Sequence, residues 1–141
     1  MIVNHIGLRV DDLDRSRRFY EALGFTERVS MDVPDEPAHR LVRVTPPVGL
    51  RAVYMSNGPF VLELLGFAHH PAAPADRAMT DTGLTHLSLG VEDVSVAKAL
   101  VAEHGGEVLE DSDVGVAVMV RDPDGQLIEL LDIAYRPVPP A

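Results

Sequence analysis

Shifted along itself by 81 positions, the chain matches its own beginning. His5-Ile6-Gly7-Leu8-Arg9-Val10-Asp11-Asp12-Leu13 falls on His86-Leu87-Ser88-Leu89-Gly90-Val91-Glu92-Asp93-Val94, and Gly24 falls on Gly105. The match keeps apolar alternation, an acidic pair and a helix-ending glycine in register, which is the signature of a duplicated structural unit. Each copy also closes on nearly the same tetrapeptide, Leu62-Glu63-Leu64-Leu65 in the first and Ile128-Glu129-Leu130-Leu131 in the second. Whatever fold the chain adopts has to be built twice.

Within each copy the pattern reads βαβββ. Residues 2–10 alternate and are rich in branched apolar side chains, so they predict a strand. Asp11, Asp12 and Asp14 suit a helix N-terminus, where exposed amides and the macrodipole favour negative charge. A helix over 13–23 follows, with Leu13, Phe19, Tyr20 and Leu23 available to its buried face and Gly24 as its stop. In the second copy Val94, Val96, Ala97, Leu100 and Val101 play that part before Gly105-Gly106. Three strands are expected after each helix: 25–31, 50–55 and 60–66, then 107–110, 114–121 and 126–133. Ser56-Asn57-Gly58-Pro59 and Asp122-Pro123-Asp124-Gly125 supply the turns before the last strands. The expected organisation is a first module at 1–66, a linker at 67–83, a second module at 84–135 and a tail at 136–141.

The copies differ in length. His5 and Glu63 are 58 positions apart, His86 and Glu129 only 43, so the first copy holds 15 more residues, around 31–49. This proline-containing stretch reads as loop with a further strand at 40–44. An enlarged loop on a compact scaffold is either a specificity element or a neutral insertion.

Two His and two Glu recur in the order His5, Glu63, His86, Glu129. Alternation places His5 on one strand face with Val3, Gly7 and Arg9, and turns Glu63 and Glu129 away from their flanking leucines and isoleucine. A carboxylate inside Val61-Leu62-Glu63-Leu64-Leu65 is anomalous, because Glu is seldom buried without a partner. The same anomaly at Glu129 points to a shared purpose: two imidazoles and two carboxylates can hold one divalent metal ion. A solvent-facing edge strand or an ion pair with an arginine such as Arg9 would be the structural alternatives. His104 belongs to a last helical turn, where it can satisfy carbonyls; His39, His69 and His70 read as solvated loop residues.

Composition narrows the chemistry. At 141 residues the chain is one domain's worth of sequence. Without cysteine it has no disulfide, thiolate nucleophile or Cys-based zinc or iron–sulfur site. A net charge of −10 argues against a nucleic-acid partner, which requires a basic face. No apolar run approaches the roughly 18 residues of a membrane span, and no basic-then-apolar leader opens the sequence, so a soluble, cytoplasmic protein without a membrane partner is expected. Nucleotide-binding glycine loops and serine-nucleophile turns are absent.

Paired βαβββ units carrying this order of residues resemble the vicinal oxygen chelate superfamily, which includes lactoylglutathione lyase (glyoxalase I), methylmalonyl-CoA epimerase, extradiol dioxygenases and fosfomycin or bleomycin resistance proteins. The resemblance runs from the His5–Leu13 motif through Arg18-Phe19-Tyr20 and Leu23-Gly24-Phe25 to Asp122-Pro123-Asp124-Gly125 and Ile128-Glu129-Leu130. It implies an α+β fold in which two tandem βαβββ modules form a cupped mixed sheet. It also implies His5, Glu63, His86 and Glu129 as ligands of a divalent ion (Ni, Co, Zn, Mn or Fe), Glu63 and Glu129 as candidate bases, and Arg9 as a substrate contact. A glutamate at the second ligand position favours the glyoxalase-like members.

The implied activity is isomerisation, epimerisation or lyase-type proton transfer on a small oxygen-chelating substrate. One alternative is an Fe(II)-dependent extradiol-type dioxygenase using His5, His86 and Glu129, in which Glu63 would crowd the open positions. Another is a non-catalytic, antibiotic-sequestering protein, whose relatives usually lack the full ligand set. The family's habit also implies a homodimer, with units pairing within one chain or between two.

Overall fold

Asp12 opens the first helix as the sequence demands. Its carboxylate accepts the backbone N–H of Arg15 at 2.9 Å, which holds the acid below its ordinary pKa. Helix α1 (Leu13–Ala22) buries Ser16, Phe19 and Tyr20, and ends where Gly24 takes φ +89°. A side chain is strained in that left-handed region and glycine is not. The same device recurs at helix α3 (Val94–Glu103), capped by Asp93 and followed by Gly105 at φ +84°. A computed structural model describes residues 1–73 and 78–135.

The chain falls into two compact units, one built by residues up to Ala73 and the other by the described residues after it. In the first, strands β1 (Ile6–Arg9), β2 (Thr26–Val33), β3 (Leu50–Asn57) and β4 (Phe60–Phe67) form a four-stranded sheet in the order β1-β4-β3-β2. In the second, β5 (Leu87–Val91), β6 (Glu107–Val108), β7 (Ala117–Arg121) and β8 (Leu127–Asp132) form a sheet in the order β5-β8-β7-β6. The first strand of each unit runs parallel to the last and the other pairings are antiparallel. The fold is α+β with two mixed sheets, as the duplicated pattern requires.

Period-two alternation then separates two faces. Toward α1 the first sheet turns Val53, Met55, Leu62 and Leu64, all buried, and Gly66 lies against the Leu13 side chain. In the second unit Val118, Val120, Ile128 and Leu130 are the buried set, with Ala97 and Val101 of α3. Register carries Gly7, Glu63 and Tyr54 side by side on the other face of the first sheet, and Ser88, Glu129 and Met119 on the corresponding face of the second.

Several sequence expectations change. Residues 1–4 are exposed and outside any strand, so β1 begins at Ile6 and β5 at Leu87, each one residue after its histidine. The expected strand at 40–44 does not form; helix α2 (Asp35–Val42) stands there, with Arg43 left-handed at φ 58° as its cap. Pro37 is tolerated because first-turn amides have no helical acceptor. Asp35 and Glu36 favour the N-terminus, and Arg40 bonds Glu36 one turn back at 2.7 Å. Ala38 packs on Val48 and Leu50, with Leu65 and Phe67 beside them. The extra residues thus cover part of the sheet face that carries Glu63.

In the second unit β6 stops at Val108 and a 3₁₀ turn (Glu110–Ser112) follows, while β7 starts only at Ala117. Ser112 explains this locally: its hydroxyl donates to the Leu109 carbonyl and accepts the Met119 N–H, taking backbone groups a longer ladder would have used. The turn at 122–125 forms as expected, with Asp122 accepting the N–H groups of Asp124 and Gln126. Of the expected linker, 74–77 lie outside the described residues, as does the tail at 136–141. Among the described residues no helix is long and apolar enough to cross a membrane.

Candidate metal centre

Glu63 is placed by β4: alternation turns it away from Leu62 and Leu64, and 14% of its side chain remains exposed. Parallel pairing with β1 brings the residue preceding that strand, His5, alongside, with Nε2 3.1 Å from Glu63 Oε2. The other ring nitrogen, Nδ1, lies 2.7 Å from the Asn4 amide oxygen. The Asn4 side chain thus engages Nδ1, and Nε2 is the nitrogen turned toward the carboxylate.

Tyr54 completes this cluster from β3. Its ring meets the His5 ring edge-on, with centroids 5.5 Å apart and planes at 90°. Its phenol donates to the Glu63 carboxylate; that hydrogen bond, then burial, then the glutamate's charge push the phenol up to about 12.

The second unit repeats the arrangement in looser form. His86 precedes β5, its Nδ1 lies 2.9 Å from the Thr85 hydroxyl, and its Nε2 is 4.0 Å from Glu129 Oε2. Ser88 donates its hydroxyl to that same oxygen at 2.6 Å. Each unit therefore presents an imidazole whose Nδ1 is engaged by the preceding side chain and whose Nε2 faces a carboxylate.

The donor chemistry suits a divalent ion. Two atoms each roughly 2.1 Å from one ion and at a right angle to each other lie roughly 3.0 Å apart, and the first pair has that spacing. The second pair is wider, at 4.0 Å. Among the described residues no group of three or more His, Asp or Glu is gathered at metal-binding spacing; the structure brings His5 to Glu63 and His86 to Glu129 as pairs.

Arg9 lies on the Glu63 face, but its guanidinium donates to the carbonyls of Leu65 at 3.3 Å and His70 at 2.8 Å and stacks 5.0 Å over Phe67. Any contact with substrate would have to use the N–H groups left over. His70, expected to be solvated, binds the carbonyls of Thr45 and Pro47 through Nε2. His104 meets the Leu100 carbonyl at 2.9 Å, the role its place in a last helical turn suggests. Sequence reasoning missed Asn4, Tyr54, Thr85 and Ser88. For Tyr54 a signal existed: Asn57 pairs Phe60 across the tight turn, and counting three residues outward on each strand reaches Tyr54 and Glu63.

A sequence profile described as the Glyoxalase/Bleomycin resistance protein/Dioxygenase superfamily matches residues 2–130. The chain belongs to that superfamily. Among relatives of this glyoxalase-superfamily chain, a probable lactoylglutathione lyase from Synechocystis sp. is 26% identical, with 96% of this chain and 98% of the relative aligned. A probable chloroplastic lactoylglutathione lyase of Arabidopsis thaliana is 28% identical over 96% of this chain, which spans 37% of that longer protein. Among solved structures, the trypanothione-dependent glyoxalase I of Leishmania major superposes with a TM-score of 0.69 at 31% identity, covering 92% of this chain and 85% of that one.

Proposed function

We propose that this superfamily member is a divalent-metal-dependent lyase or isomerase of the glyoxalase type, moving a proton on a small substrate with neighbouring oxygens. The observation that carries the reading is the repeated His–Glu pair, each imidazole engaged at Nδ1 and facing its carboxylate through Nε2. In this reading His5, Glu63, His86 and Glu129 are the ligands of one ion, drawn from Ni, Co, Zn, Mn or Fe. Relatives named lactoylglutathione lyase support the reaction class.

When bound, the ion supplies Lewis acidity that stabilises negative charge developing on a substrate oxygen. The chain supplies the rest. Nδ1 partners on both histidines fix the ring orientation. Glu63 and Glu129 hold and return the proton, since a carboxylate close to a C–H bond is a competent base once that carbon is acidified. Arg9, through its unused N–H groups, is assigned to an anionic part of the substrate. A homodimer is part of the proposal and is read by measuring the solution mass.

The test is elemental analysis of protein purified without added metal, followed by turnover of hemithioacetals made from several thiols, acyl-CoA esters and catechols. The expected result is metal content near stoichiometric and activity on a hemithioacetal or an acyl-CoA ester. Glu129→Gln should abolish turnover and weaken metal retention. Full metal content with undiminished activity in that variant would overturn the assignment, and oxygen uptake with a catechol would redirect it to dioxygenase chemistry.

A further inference from the structure

The two carboxylates have hydroxyl-bearing neighbours on opposite sides. Beside Glu63 the β1 side offers Gly7, which has no side chain, and the β3 side offers Tyr54. Beside Glu129 the β7 side offers Met119, which donates nothing, and the β5 side offers Ser88 at 2.6 Å. Each glutamate thus has one hydroxyl-bearing cross-strand neighbour, on a different side in each unit. The consequences differ, because Ser88 holds only Glu129, whereas Tyr54 touches both members of its pair.

We propose that Tyr54 is a positioning residue which, by donating its hydroxyl to Glu63 while its ring packs edge-on against His5, preorganises the first half of the metal-binding set. A carboxylate pinned through one lone pair keeps its remaining lone pairs for the ion and loses less freedom when the ion arrives. The closer spacing of the first pair, 3.1 Å against 4.0 Å, and the lower exposure of Glu63, 14% against 30%, accord with that role. This inference rests on the metal-site reading above.

Tyr54→Phe keeps the ring and removes the hydroxyl. Cobalt(II) affinity, read by competition with a chromophoric chelator, should fall by roughly 10- to 100-fold, the range for loss of an outer partner of a metal ligand. The second unit supplies a rescue: Gly7→Ser in the Tyr54→Phe background puts a hydroxyl where Ser88 stands beside Glu129. A Cβ at Gly7 would meet Leu65 at 3.4 Å and Glu63 Oε2 at 3.7 Å, ordinary contact distances. The double variant should regain most of the lost affinity, which replacing a merely space-filling ring contact would not achieve.

Wild-type protein that binds no divalent ion would overturn the site reading itself. Wild-type binding with Tyr54→Phe unchanged to within about twofold would leave the site standing and overturn the role of Tyr54. A loss that Gly7→Ser does not restore would equally show that a hydroxyl beside Glu63 is not what acts.

Discussion

Gly66 shows how closely a single residue sets the spacing behind the site. It lies on the helix-facing side of β4, three residues beyond Glu63, and a Cβ added there would stand 2.6 Å from Leu13 Cδ1 and 2.8 Å from Leu13 Cγ. Both distances are shorter than van der Waals contact, so α1 or its leucine has to move. Gly66→Ala should destabilise the protein by about 1–3 kcal/mol, the usual cost of overpacking a core. Leu13→Ala alone should also destabilise it, by opening a void. Combined, the two changes should cost less than the sum of the singles, because the shortened side chain vacates the space the new methyl needs. Urea denaturation of the four proteins reads the coupling directly, and strict additivity would show that the helix does not rest on Gly66.

At the scale of elements, one carboxylate ties α2 to the chain beyond it, alongside the packing of Ala38. Asp35 Oδ1 accepts the N–H groups of both Val48 and Gly49 at 3.0 Å, and the Gly49 amide above all holds the acid below its ordinary value of 3.8. A depressed pKa in the folded state means stability that is present above the unfolded pKa and disappears as pH falls through the folded one. Asp35→Asn should therefore lower the melting temperature near neutral pH, and its difference from wild type should shrink as pH drops below about 4. A difference that stays constant down to pH 2 would assign the effect to hydrogen bonding alone. The helix itself was hard to read from sequence, because Leu41, Val42 and Val44 look like strand residues, and what decides for helix is the distant Val48, Leu50, Leu65 and Phe67 against which Ala38 and Val42 pack. Elements repeated in both copies were legible, since each reading had an independent second witness. The single-copy insertion had none. Likewise Glu63 and Glu129 stood out as charges inside apolar runs, whereas Tyr54 and Ser88 are ordinary strand residues until register places them beside a carboxylate.

For the whole molecule, the decisive measurement is whether a divalent metal raises its stability. A chain with net charge −10 attracts dications from every direction, so mere binding is weak support for a built site. An ion that binds only the folded state adds RT ln(1 + [M]/Kd), about 2.7 kcal/mol at a hundredfold excess over Kd, or on the order of 10 °C in melting temperature for a chain of this length. Cobalt or nickel at that excess should produce such a rise, and a chelator should reverse it; calcium at equal ionic strength should not, since imidazole nitrogen is a poor ligand for a hard cation. The four proposed ligands come two from each unit, which makes stoichiometry informative. If they serve one ion, His5→Ala and His86→Ala should each remove nearly the whole rise, and wild type should bind one ion per chain. If each His–Glu pair bound its own ion, wild type would take two and either variant would keep one. Calorimetric titration of the three proteins distinguishes these cases, and two ions per chain would replace the shared centre with two independent half-sites.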